Sequence, residues 1–215
     1  QHDVTSGTTG KGPFRDTCIT RVAAAALTRS LESEPLSPVN KTAQMPMQKR
    51  RRIVLTGGPG GGKTTAADLV RRELGSRIVV VPEAATILFA GGFPRSSQAD
   101  ANRAAQTAIF HVQRNLENVQ SALYPERVLL CDRGTVDGGA YWHDGEDSYF
   151  HAQGTSLEAE LSRYDAVVFF ETAAVAGLSI EGGNPVRRES LSEVVELDAR
   201  LRALWSRHPR FTLIP

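Results

Sequence analysis

The sequence is poor in cysteine, in long apolar runs and in net charge. Its two cysteines, Cys18 and Cys131, form neither a CxxC motif nor a disulfide framework. This usage argues against structural zinc and favours a reducing compartment, so we expect a cytoplasmic protein. Apolar runs such as Val22 to Leu27 and Ala166 to Phe170 are too short to span a membrane. Because the formal net charge is +1 across 215 residues, no nucleic-acid partner is expected.

Residues 1–48 lack the hydrophobic periodicity of a folded domain. They are rich in Thr, Ser, Gly and Pro, and we expect them to be disordered or a non-native extension. Arginines beside serines and threonines also suggest a transit peptide, although acidic residues in the same stretch oppose that interpretation. We favour a natural start at Met45 or Met47, because the sequence begins with Gln1. One domain is then expected over residues 49–215.

Short apolar runs alternate with segments of helical period from Ile53 onward. Continuous apolar runs are typical of parallel strands buried on both faces. The predicted strands are Ile53 to Leu55, Ile78 to Val81, Val128 to Cys131, Ala166 to Phe170 and Phe211 to Ile214. Strands alternating with helices through right-handed crossovers predict an α/β fold with three layers, α/β/α, around a parallel sheet.

Two of the predicted helices have a recognisable apolar face. In the first, apolar residues recur at spacings of three and four, which predicts a core-facing stripe of Ile109, Val112, Leu116, Val119 and Leu123. The last helix is predicted to open at Ser190, with Glu193 completing a capping box. Its predicted buried residues are Val194, Leu197, Leu201 and Leu204. Gly75 is expected to end the helix after the first strand.

A glycine-rich segment follows the first strand and precedes a helix, which is the setting of a Walker A phosphate-binding loop. Backbone N–H groups in such a loop face the phosphates of a nucleoside triphosphate. Lys63 is predicted to contact the β- and γ-phosphates, and the Thr64 hydroxyl to bind Mg²⁺. The alternative is a glycine-rich turn that binds nothing. The predicted nucleotide-binding residues are Gly57, Gly58, Pro59, Gly60, Gly61, Gly62, Lys63, Thr64 and Thr65.

The third strand ends in Asp132 and Arg133. A carboxylate at this edge of the sheet is suited to hold Mg²⁺ together with Thr64. In motor and remodelling ATPases this Asp is usually followed by a Glu that polarises water. The Arg at this position instead favours transfer of the phosphoryl group to an acceptor. The alternative is that Asp132 caps a turn and pairs with Arg133.

Glu83 ends the second predicted strand, at the sheet edge where α/β proteins bind ligands. We predict that it accepts a proton from an attacking hydroxyl group. The alternative is that it only begins a helix. The Gly91 to Pro94 segment that follows is expected to be a mobile loop.

Two further groups of residues are candidates for the site. Arg187 and Arg188 follow a glycine-rich stretch typical of a lid, where they would neutralise the transferring phosphoryl group, unless they are solvent-exposed arginines of a surface turn. A second group follows the third strand and is predicted to line an acceptor pocket, although His143 alone is as well explained by packing or solvent exposure. That group is Asp137, Tyr141, Trp142 and His143.

Five ordered motifs between Arg52 and Pro215 resemble a known family: GGPGGGKTT, PEA, GGFP, CDRGTVDGGAYW and NPVRRES. The sequence is similar to the P-loop AAA domain shared by the ribosylnicotinamide kinase part of NadR and the TRPL translocation defect protein. The resemblance implies a nucleotide-kinase-like fold and assigns the strand-end pair Asp132 and Arg133 and the lid arginines to catalysis, with Glu83 as the base. It also implies that such a domain continues past Pro215 into a loop and a closing helix, which this sequence lacks.

The resemblance implies ATP (or GTP) with Mg²⁺ and an unknown small-molecule acceptor. We therefore expect a kinase that transfers the γ-phosphoryl group to a nucleoside-like hydroxyl. The alternative is a regulatory module that uses ATP or GTP to control binding to a protein or a phosphoinositide. The sequence has no DxxG motif after the third strand and no NKxD motif in the domain, so a Ras-type GTPase is not expected.

Overall fold

The centre of the computed structural model, which describes residues 51–176 and 191–215, is a sheet of five strands. They are β1 (Arg52–Thr56), β2 (Ile78–Val81), β3 (Val128–Asp132), β4 (Ala166–Phe170) and β5 (Phe211–Ile214). The order across the sheet is β2-β3-β1-β4-β5, and every neighbouring pair is parallel. All the predicted strands are confirmed. The predicted disorder of residues 1–48 lies outside the described residues.

Helices cover both faces of the sheet. They are α1 (Lys63–Leu74), α2 (Ala84–Ala90), α3 (Ala99–Leu123), α4 (Gly138–Tyr141), α5 (Glu146–Ala152), α6 (Leu157–Leu161) and α7 (Leu191–Trp205). Short 3₁₀ turns lie at Gly75–Arg77 and Ala173–Ala176. No helix in the described parts of the chain is both long enough and apolar enough to cross a membrane.

Alternate residues of each strand belong to two separate apolar cores. On one face, Ala66 and Val70 of α1 pack with Leu55. On the other face, Val54 packs in a larger aromatic core that includes Phe110 and Trp205. This arrangement is the predicted three-layer α/β/α fold around a parallel sheet.

The ends of the predicted helices are partly within the described residues. Gly75 ends α1 with φ 54°, as predicted, and its N–H donates to the Arg71 carbonyl. In α7 the predicted apolar residues are all buried, namely Val194, Leu197, Leu201 and Leu204. Ser190, and with it the predicted capping box, lies outside the described residues.

The predicted core-facing stripe of α3 is wrong for its C-terminal half. Val119 is 52% exposed and Leu123 is 63% exposed. The face that is buried instead contains polar residues, including Gln113 and Glu117. These side chains have buried hydrogen-bond partners, so their burial costs little free energy, whereas the periodicity of apolar residues assumes that polar groups stay in water. The helix is therefore rotated so that Gln113 reaches the Arg133 carbonyl after β3, while Glu117 reaches Arg163 and Tyr164, which precede β4.

Candidate functional site

The glycine-rich segment forms a tight loop between β1 and α1. Gly57 has φ 127°, and a Cβ atom there would lie 2.0 Å from the Phe170 carbonyl oxygen. Gly62, at the N-terminus of α1, has φ 79°. Both positions need glycine because side chains rarely adopt these angles. The sequence therefore specifies a loop whose backbone wraps the end of α1, as a phosphate-binding loop does.

Lys63 is the first residue of α1 and turns back over the loop. Its Nζ donates to the carbonyl oxygens of Gly57, at 3.0 Å, and Gly58, at 2.6 Å. Burial, with Arg133 nearby, lowers the pKa of Lys63 to about 7. Asp132, Glu83 and Asp137 oppose this shift without cancelling it, so the ammonium stays desolvated, which suits a group that binds phosphate.

Thr64 and Asp132 come together because β1 and β3 are neighbours, with Leu55 in register with Asp132. The Thr64 hydroxyl donates to Oδ2 of Asp132 over 3.3 Å. Burial raises the pKa of Asp132, and the negative charge of Glu83 raises it further. This pair of hard oxygen donors fits Mg²⁺ in character. Among residues 51–176 and 191–215, no three His, Cys, Asp or Glu side chains form a group that could hold a metal ion. A Mg²⁺ ion on Thr64 and Asp132 would take its remaining ligands from water and nucleotide phosphates.

Arg133 is buried in a left-handed conformation, with φ 69°. Its Nε lies 2.9 Å from Oε1 of Glu83, and its Nη1 donates to Oδ1 of Asp137 over 3.0 Å. Burial works to lower the pKa of Arg133, but Tyr141, Asp137 and Glu83 together raise it above its ordinary value. The alternative in which Arg133 pairs with Asp132 is therefore wrong, because its guanidinium is directed to the two other carboxylates.

Glu83 stands at the start of a helix and also faces a cavity. It occupies the residue before α2, with an extended backbone, so it does stand at a helix start. Its side chain also lines a cavity and accepts a 2.5 Å hydrogen bond from the Thr86 hydroxyl. Together with the Arg133 contact, this bond holds the Glu83 carboxylate at the cavity wall.

The cavity has a volume of about 660 Å³ and lies beside the loop, with Pro59 in its wall. Asp137 and Tyr141 line it, as predicted. Trp142 does not, because it is buried in the aromatic core with its Nε1 bonded to Ser148. His143 is solvent-exposed and also lies outside the cavity wall. The acceptor-pocket prediction is thus wrong for these two residues.

The Asp137 carboxylate contacts four residues from three parts of the chain. Its carboxylate accepts bonds from the Thr56 hydroxyl at 2.7 Å and from the Gly134 N–H at 3.0 Å. It also accepts from Nε1 of Trp205 at 3.2 Å, besides its contact with Arg133. Asp137 therefore ties the loop after β3 to β1 and α7.

Several residues of the site were not predicted from the sequence. Asp198 of α7 accepts from the N–H groups of Gly58, at 2.7 Å, and Thr172, at 3.2 Å, and so anchors the phosphate-binding loop. Burial raises the pKa of Asp198, against the effect of these two bonds. Gln106 and Gln113 of α3 line the cavity. Gln106 and Gln113 are seven residues apart, which is about two helical turns. This spacing could have indicated that the two side chains share one face of α3. Arg187 and Arg188 lie outside the described residues.

Comparison with known proteins gives the family. A family model described as AAA domain matches residues 52–214. Among solved structures, the deoxyadenosine kinase from M. mycoides, solved with bound dATP, is similar with a TM-score of 0.55 and 13% identity. The match covers 77% of this chain and 91% of that chain. At this identity the likeness shows the fold. A search of curated proteins found no match. With the family model matching most of the sequence, this chain belongs to the AAA-domain family of P-loop nucleotide-binding proteins, and its fold is kinase-like.

Proposed function

We propose that this protein is a small-molecule kinase that transfers the γ-phosphoryl group of ATP to a hydroxyl group of a nucleoside-like acceptor. The observation that carries the proposal is the cavity of about 660 Å³ that adjoins the phosphate-binding loop at Pro59 and contains the Glu83–Arg133 pair. A volume of this size is typical of sites for small molecules. We also propose that, within this family, the protein is related to ribosylnicotinamide-kinase-like proteins.

On the nucleotide side, the loop amides and Lys63 bind the phosphates. Thr64 and Asp132 would hold Mg²⁺, which would supply positive charge to the β- and γ-phosphates. Phosphate oxygens add negative charge beside the desolvated Lys63 ammonium. Arg187 and Arg188 belong to this side of the proposal on sequence grounds.

On the acceptor side, Glu83 is the base. The acceptor oxygen attacks the γ-phosphorus, the bond from that phosphorus to the β–γ bridging oxygen breaks, and ADP leaves. The hydroxyl proton passes to the Glu83 carboxylate. Arg133 fixes this carboxylate through the 2.9 Å contact and favours its ionised form.

The wall of the cavity supports a planar, nucleoside-like acceptor. Phe89, Phe110 and Tyr149 contribute aromatic surface. Gln106 is only 7% exposed, and its amide makes no hydrogen bond to any described residue. A buried amide with a free donor and a free acceptor is matched by a ligand edge that also has one of each, as nucleobases and carboxamides have.

The test begins with calorimetric titration of the protein with ATP and GTP, with and without Mg²⁺. Phosphoryl transfer from γ-labelled ATP to a panel of nucleosides is then measured for the wild type and Glu83→Gln. We expect Glu83→Gln to retain nucleotide affinity and to lose transfer by a factor on the order of 100. Glu126→Gln is the matched control, because Glu126 is exposed and lies outside the cavity wall.

Unchanged transfer by Glu83→Gln would remove Glu83 from the mechanism. If the wild type binds ATP but phosphorylates none of the acceptors, while the nucleotide changes its affinity for a protein or for phosphoinositide vesicles, the regulatory module is the better description.

A further inference from the structure

Gln113 uses both ends of its side-chain amide to join two separate segments of the site. Its Oε1 accepts from the Ala84 N–H over 3.1 Å, at the start of α2. Its Nε2 donates to the Arg133 carbonyl oxygen over 3.2 Å, just after β3. Gln113 is 2% exposed, so these bonds form away from water. Its position on α3 places it between the two chain segments.

The two segments carry the proposed base and its cation. Ala84 is the residue after Glu83, and Arg133 is the partner of the Glu83 carboxylate. A shift of either backbone would change how the carboxylate meets the acceptor. The amide of Gln113 therefore fixes the relative position of the two groups through their main chains, independently of their own side-chain contact.

Arg133 needs such support because of its backbone. Its φ of 69° lies in the left-handed region, where residues other than glycine are strained. Among residues 51–176 and 191–215, no other non-glycine residue has a positive φ. Its N–H donates to the Leu55 carbonyl at 2.9 Å, and its carbonyl accepts from Gln113. The N–H and the carbonyl of Arg133 are thus each held by a hydrogen bond, and together the two bonds maintain the unusual conformation.

We propose that Gln113 is a positioning residue for phosphoryl transfer, which sets the geometry of Glu83 and Arg133 by bonding the backbone beside each. This inference rests on the proposed function. It assigns Gln113 no contact with nucleotide phosphates, so its loss lowers the rate of transfer and leaves nucleotide affinity unchanged.

The experiment compares Gln113→Leu and Gln113→Glu with Gln120→Leu in the full chain. Leucine removes both hydrogen bonds at similar volume, and we expect kcat to fall by a factor on the order of 100, as for small misplacements of reacting groups. The Kd for Mg-ATP is expected to stay within twofold of the wild type. Gln120, two turns along the same helix, lies outside the cavity wall and its Oε1 is already without a partner, so Gln120→Leu is expected to leave kcat unchanged.

Gln113→Glu separates positioning from simple loss of packing. A protonated carboxyl group has the same donor and acceptor pattern as the amide, whereas the ionised form cannot donate to the Arg133 carbonyl. The negative charges of Glu117 and Glu83 oppose ionisation of a glutamate at position 113, whereas the positive charge of Arg133 favours it. Oε1 of Glu117 lies 3.5 Å from the Gln113 amide nitrogen. Measured relative to the wild type at each pH, kcat of Gln113→Glu is expected to recover as the pH is lowered and the introduced carboxyl group becomes protonated. The ratio of kcat of Gln113→Leu to kcat of the wild type is expected to be independent of pH.

Hydrogen exchange of the Ala84 amide, followed by NMR, tests the bond without any turnover. Faster exchange of Ala84 in Gln113→Leu but not in Gln120→Leu, with the Ile87 amide of α2 unaffected, supports the assignment. Unchanged kcat in Gln113→Leu overturns it. Loss of Mg-ATP binding in both Gln113 variants also overturns it, because the residue would then be merely structural. If the wild type transfers nothing but the Ala84 amide responds as expected, the proposed kinase function has failed and the bridging by Gln113 stands.

Discussion

The buried charge of Lys63 makes nucleotide binding a proton-coupled reaction. Without nucleotide, desolvation lowers the pKa of this ammonium to about 7. Bound phosphates place negative charge beside Nζ and return the pKa towards the ordinary 10.5. The bound state then holds a proton that much of the free protein has lost at pH 8, so binding is favoured by acid and weakened by alkali.

The size of the effect follows from the pKa difference. Below pH 7 the free protein is already protonated, and affinity for ATP is expected to be nearly independent of pH from this source. Between pH 7 and about pH 10 the Kd is expected to rise about tenfold for each pH unit. The full return of the pKa to 10.5 corresponds to roughly 5 kcal/mol of interaction between Lys63 and the phosphates. At pH 8 the uptake is about 0.9 proton for each nucleotide bound.

Isothermal titration calorimetry in buffers of different ionisation enthalpy measures this uptake directly. Titrations at pH 8 and pH 9 are preferred, because the γ-phosphate of Mg-ATP is then already ionised and adds no proton of its own. Lys63→Met keeps a side chain of similar length without the charge. We expect this variant to bind ATP weakly, with an affinity that no longer falls as pH rises.

A wild-type uptake near zero at pH 8, with tight binding, would refute the reasoning. Lys63 would then be charged in the free protein, and the burial that lowers its pKa would be offset by another group.

Three further predictions concern the loop, the buried ion pair and the metal. Gly57→Ala, which combines φ 127° with a 2.0 Å approach to the Phe170 carbonyl, is expected to lower the free energy of unfolding by about 3 kcal/mol and to abolish ATP binding, as measured by urea denaturation and calorimetry. Arg163→Met, which leaves the fully buried Glu117 without its cation, is expected to cost about 3 kcal/mol at pH 7. Because burial raises the pKa of Glu117, denaturation at pH 5 should show a smaller loss, and an equal loss at both pH values would contradict this. Asp132→Asn is expected to raise the Mg²⁺ concentration for half-maximal ATP binding about tenfold, and an unchanged requirement would exclude Asp132 from the metal site.

The strands and the loop could be predicted from the sequence because their signals are local. A strand buried on both faces must be apolar at every position, as Ala166–Phe170 is. Gly57 and Gly62 satisfy backbone angles set within the loop itself. Both patterns are visible in short windows of sequence, although the close approach of the Phe170 carbonyl to Gly57 is not.

The side-chain partners in the site could not be predicted, because they are contacts between distant residues. Arg133 meets Glu83, from the end of another strand, in place of its sequence neighbour Asp132. The buried face of α3 was missed for a related reason. Its glutamine and glutamate side chains are acceptable in the interior only because their partners come from other segments, as Tyr164 does for Glu117. Trp142 was misplaced because its position next to site residues in sequence does not fix the direction of its ring.

The hydrogen bond from the Gly58 N–H to Asp198 spans 140 positions of sequence. A ribosome must therefore synthesise α7 before the loop between β1 and α1 acquires its last support, although the loop itself emerges early. We expect nascent chains that end before Asp198 to hold ATP poorly, so the nucleotide does not assist the first stages of folding. Proteolytic fragments that lack α7 are expected to bind nucleotide weakly for the same reason.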